Sequence, residues 1–74
     1  MANYLSYVGK ELSESIAKTL FPGEWILGEA VRMGKKDLIV KILAVSENRS
    51  GLKHLYNDML AKYPNRRLVI FKGN

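Results

Sequence analysis

The sequence has no cysteine. Disulfides and cysteine-based zinc sites are therefore excluded, and a reducing compartment is the simplest expectation. Its one histidine, His54, cannot build a multi-histidine metal site. The opening stretch, MANYLSYVGKELSES, has polar residues every few positions and no basic segment followed by an apolar run, so it does not read as a signal peptide. No apolar run is long enough to span a membrane. A cytoplasmic protein without membrane contact is the expectation. Neither GxGxxG nor a Walker A motif occurs, and no cofactor is expected. Aromatic residues make up 9% of the chain, with few on the expected strands, which argues against an RRM-like base-stacking platform. Internal repeats, low-complexity runs and linkers are also missing.

What is present fits one small domain over residues 1–74. The apolar fraction of 47% is that of a globular chain rather than a disordered one. At this size folding buries only roughly 60% of the unfolded surface, so self-association or a partner would help. The net charge of +5 is unevenly spread. Residues 1–31 hold two lysines against four glutamates, and residues 32–74 hold ten Lys and Arg against three acids. That asymmetry points to a negatively charged partner.

The stretch from Asp37 to Phe71 reads as strand, helix, strand. DLIVKILAV is nearly all apolar, as a central strand should be. In LKHLYNDMLAKY, Leu52, Leu55, Tyr56, Met59, Leu60 and Tyr63 recur at helical spacing. Pro64-Asn65 stops the helix, and RRLVIF follows as a strand. A unit of this length predicts two adjacent parallel strands joined by a crossover helix. Upstream, Asn3 is an N-cap for a helix over about residues 4–20, with Leu5, Val8, Leu12, Ile16 and Leu20 as its apolar stripe. Phe21-Pro22-Gly23 ends it. A strand over 24–33 follows, with a bulge expected at Gly28 and a hairpin turn at Gly34-Lys35-Lys36. The expected fold is thus α+β, in the order α-β-β-α-β. Its three-stranded mixed sheet, a hairpin plus a parallel βαβ unit, carries two helices on the Leu38 face. That leaves Trp25, Ile39, Lys41, Leu43 and Val45 as an open face for a protein partner or for a homodimer.

In this topology Arg32, Lys35, Lys36, Lys62, Arg66 and Arg67 converge on one end of the sheet, with Asp37 the one nearby acid. Cations gathered in this way suit phosphate contact. At the opposite end, Arg49, Ser50, Gly51 and Lys53 sit at a helix N-terminus, a natural anion site. No catalytic set emerges: His54 and Asp58 are four apart on the polar side of the helix, with no nucleophile to pair with them.

The segment ILAVSENRSGLKHLYNDMLAKY resembles the acetyl-CoA-binding strand–loop–helix of GNAT acetyltransferases. Gly51 matches the central glycine of that motif, but Asn48 and Lys53 stand at its outer positions, and the chain is about half the length of that fold. The element order also resembles a trimmed PD-(D/E)xK nuclease core, with Asp37 and Lys41 at its Asp and Lys. Ile39 then stands where that core needs a metal-binding acid. No site residue carries over from either resemblance. The functional expectation is a small basic binding module, without enzyme activity, that contacts nucleic-acid backbone with low sequence specificity. The alternative is a protein-interaction or regulatory module acting through the open sheet face, and a third reading is a degenerate nuclease-like or acetyltransferase-like fragment.

Overall fold

The computed structural model describes residues 4–74, and the cap expected at Asn3 lies outside them. A 3-10 turn at Tyr4–Ser6 leads into β1 (Glu11–Ser13), α1 (Glu14–Leu20), β2 (Trp25–Met33), β3 (Leu38–Ser46), α2 (Arg49–Lys62) and β4 (Leu68–Lys72). The strands form one four-stranded sheet in the order β1-β3-β2-β4, and every neighbouring pair is antiparallel.

Two features of the expected sheet are corrected. Among the described residues the sheet has four strands, not three, and no parallel pair. β3 and β4 do run in the same direction, but β2 stands between them. The tight hairpin at Gly34, closed by its N–H on the Asp37 carbonyl at 2.8 Å, takes one edge of β3 for β2. β1 takes the other edge. β4 is left with the free edge of β2, so the α2 crossover skips a strand.

The fourth strand comes from the supposed long N-terminal helix. Gly9 adopts φ 83°, a left-handed conformation that no helix interior accommodates. Its N–H donates to the Ile42 carbonyl at 2.7 Å, and the Ile42 N–H donates to Lys10 at 3.0 Å. The segment is thereby stitched to β3 as an edge strand. Ser13 then caps α1, its hydroxyl accepting from the Ile16 N–H at 3.3 Å. The buried side of this short helix is not the expected stripe. Leu5, Val8 and Ile16 are exposed, while Ala17 and Phe21 are buried.

The helices lie on opposite faces of the sheet, where both were expected on the Leu38 face. Ala17 and Phe21 of the α1 region pack with Ile26, Val40 and Ile42, bordered by Leu12, Val45, Val69 and Phe71. Tyr7 meets Phe21 edge-on at 5.6 Å between ring centroids. Leu68 and Ile70 alternate with Val69 and Phe71, so they face the other way. They line the same groove as Arg49, Lys53 and Tyr56 of α2. Buried Leu27 and Leu52 belong to this second layer. The parity switch that permits it is a bulge. Leu27 pairs Ala44 but Gly28 pairs Ile42, leaving Leu43 without a partner, so Val45 turns back to the α1 side. The bulge expected at Gly28 thus lies at that level of the hairpin, with its extra residue on β3.

Candidate functional site: the basic end of the sheet

β2 ends where β3 and β4 begin, and this sets the charges of one end of the domain. Arg32 is the penultimate residue of β2, Lys35 and Lys36 occupy the hairpin turn, and Arg66 and Arg67 precede β4. The Arg67 carbonyl accepts from the Ala30 N–H at 2.8 Å, which holds the Arg67 backbone against β2. Lys62 ends α2 at the same level, and a cation there suits the helix dipole. Tyr63 caps that helix, and Arg66 places its guanidinium 4.5 Å from the centre of the Tyr63 ring. Tyr63 is 48% exposed and Met33 75%, so two large side chains stand among the cations without being buried. Convergence of the six cations does not require β3 and β4 to touch. It requires only that they run the same way.

Sequence reasoning missed two acids. Glu29 lies 3.4 Å from Arg66, and Glu11 pairs with Arg32. Glu29 faces this end because it stands opposite Leu68 at the start of β4, and Glu11 arrives on the unforeseen β1. The signal for Glu11 was Gly9, since a glycine inside a helical pattern can also be a helix stop; Glu29 carried no local signal, because its place here depends on β4 pairing with β2. Among the described residues no carboxylate pairs with Lys35, Lys36, Lys62 or Arg67.

Asp37, the acid that was foreseen, serves the fold. Its carboxylate accepts from the Ser15 hydroxyl and from the Ser15 N–H at 2.8 Å, which satisfies a free donor in the first turn of α1. These two hydrogen bonds, with a smaller contribution from the Lys18 charge, hold its pKa below the ordinary aspartate value. A lowered folded-state pKa stabilises the fold above the unfolded-state value and is lost as pH falls through the folded-state value. The stability difference between wild type and Asp37→Asn should therefore be largest near neutrality and close on the acid side. Thermal melts across an acid pH series check this. A gap that widens as pH drops would contradict it.

The second candidate anion site, Arg49, Ser50, Gly51 and Lys53, lies in the opening turns of α2. Asn48 is the N-cap, and its side-chain oxygen accepts from the Gly51 N–H at 2.9 Å and from the Ser50 hydroxyl at 2.9 Å. The helix N-terminus thus satisfies part of its own donor set. A Cβ at Gly51 would come within 2.8 Å of the Ser46 hydroxyl, which would have to turn away from the Asn48 N–H. Arg49 and Lys72 both lie over the Trp25 ring, at 5.8 and 5.9 Å.

The five residues expected on an open face do not all share one face. Val45 borders the α1 core. Leu43 is the bulge residue, and Trp25 is flanked by cations. Lys41 stands between Glu11 and Glu29 in register, and Ile39 between Ser13 and Arg32. His54 and Asp58 are both exposed on α2. Among the described residues no group of three or more His, Cys, Asp or Glu could hold a metal ion, and no helix is long and apolar enough to cross a membrane. Comparison of the chain with protein-family models, curated proteins and solved structures finds no match.

Proposed function

We propose that this chain is a small, non-enzymatic binding module whose basic end contacts the phosphate backbone of a nucleic acid with low sequence specificity. The observation that carries this reading is the excess of cations at that end. Arg32, Lys35, Lys36, Lys62, Arg66 and Arg67 stand against Glu11, Glu29 and Asp37, and Asp37 is already engaged by Ser15. The Arg32–Glu11 pair is solvent-exposed and the Arg66–Glu29 pair is partly so. Pairs of that kind contribute only about 0–1 kcal/mol, so phosphate can displace the glutamates at little cost. The contacts would come from a hairpin turn and strand ends. Neither is a helix able to enter a major groove, hence the low specificity. The half-exposed Tyr63 ring adds one stacking surface for an unpaired base.

Salt dependence tests this directly. If the four cations without a carboxylate partner each neutralise a phosphate, log K against log salt should have a slope of roughly −3.6 on duplex DNA and roughly −2.8 on a single strand. Fluorescence anisotropy with labelled duplex DNA, single-stranded DNA and RNA measures it. An affinity indifferent to salt, or no binding in low salt, would overturn the reading.

A further inference from the structure

β4 is an edge strand with a groove beside it, and the basic end explains neither. Among the described residues β4 pairs only with β2. Its ladder can be phased from the flanking bonds: the Ala30 N–H donates to Arg67 and the Gly73 N–H donates to Glu24. In an antiparallel ladder hydrogen-bonded positions alternate. Residues 67, 69, 71 and 73 therefore bond inward to β2. The N–H and C=O groups of Leu68, Ile70 and Lys72 point outward to the open edge. Edges of this kind invite strand addition unless they are blunted. No proline or bulge interrupts β4.

The groove runs between this edge and one flank of α2. It has a volume of about 640 Å³ and is lined by Leu68 and Ile70 from β4 and by Arg49, Lys53, Tyr56 and Asn57 from α2. Ser50 lines the groove as well, so the helix residues fall at i, i+1, i+4, i+7 and i+8, along one flank of α2. The floor is apolar and the helical rim is cationic, with Lys72 adding a third positive charge at the end of the strand.

We propose that β4 and the α2 flank form a docking groove for an extended acidic peptide, which adds to the sheet as a fifth strand beside β4. The peptide backbone would bond the outward N–H and C=O groups of Leu68, Ile70 and Lys72. Alternate side chains would enter the groove, with apolar ones against Leu68, Ile70 and Tyr56 and acidic ones toward Arg49 and Lys53. Charge selects this occupant over a second copy of the chain. Each copy carries a net +5, and pairing β4 with β4 would bring two sets of Arg49, Lys53 and Lys72 together.

The test uses the full chain and two blocked six-residue peptides, one alternating Glu with Val and one alternating Lys with Val. Amide hydrogen exchange is followed residue by residue. The acidic peptide should slow exchange at Leu68, Ile70 and Lys72, while Val69 and Phe71 are protected with or without it. The double substitution Arg49→Glu with Lys53→Glu, at two exposed positions, should weaken the acidic peptide by at least roughly tenfold and favour the basic one. Three results would overturn the proposal. One is unchanged exchange at the three outward amides. Another is equal binding of both peptides. The last is protection of those amides in the free protein that rises with protein concentration, which would place a second copy on the edge.

Discussion

Phe21→Ala should lower the melting temperature by roughly 15–30 °C, whereas Ile16→Ala should shift it by only a few degrees. Phe21 is 1% exposed and joins the C-terminal end of α1 to the sheet through Ile26, Val40 and Ile42, with the Tyr7 ring edge-on against it. Removing a buried phenyl ring costs about 3–5 kcal/mol, because the cavity closes only partly. A domain of this length holds about 4–11 kcal/mol in all. Each kcal/mol corresponds to roughly 4–8 °C at this size. Ile16 is 52% exposed, and its truncation removes little buried surface. The pair also discriminates between registers. A helix continuous from residue 4, with Leu12, Ile16 and Leu20 inward, would make Ile16 the costly position. Circular dichroism melts of both variants decide between them.

That register error shows where local pattern misleads. Leu5, Val8, Leu12, Ile16 and Leu20 do recur at helical spacing, but the period runs across Gly9, whose positive φ breaks the chain into a turn, a short strand and a separate helix. A glycine in a helical pattern is ambiguous from sequence, since tolerated glycines and helix stops look alike. The hydrogen bonds that resolve it go to Ile42, more than thirty residues away. The α2 period was readable because nothing interrupts it, although its start was placed too late. Asn48 is the cap, and Arg49 to Gly51 are already helical.

Sheet order posed a different problem. Strand, helix, strand over some thirty residues is compatible with adjacent parallel strands and equally with strands split by a third. The choice belongs to β2 and β1, which occupy both edges of β3 before β4 arrives. Helix placement followed from one bulge. Strict alternation along β3 puts Val45 with Lys41, and the extra residue at Leu43 reverses that parity. Which termini meet at the basic end depends on strand direction, not on adjacency, so the sheet order does not alter it. Glu11 was not legible there, because it lies on the strand that the helical pattern concealed.

Charge reversal at the basic end is the sharpest test of the proposed function. Lys35→Glu, Lys36→Glu and Arg67→Glu together should weaken phosphate-backbone binding by about 500-fold in 0.1 M salt, since each lost contact removes roughly 0.9 log units there. These three are chosen because none pairs with a carboxylate among the described residues and all are exposed. Their removal breaks no ion pair and no core contact, so the melting temperature should move little. The magnitude of the salt slope on duplex DNA should also shrink by about 2.7. A matching triple at other cations, Arg49→Glu, Lys53→Glu and Lys72→Glu, changes net charge identically on a different surface. If long-range charge alone drove association, the two triples would weaken binding equally. If the hairpin turn and the start of β4 make the contacts, the first triple should lose most of the affinity and the second only the smaller part that comes from steering. Anisotropy titrations of both variants, each checked for native circular dichroism, separate the outcomes. Wild-type affinity in the folded first triple would remove the basic end from the account.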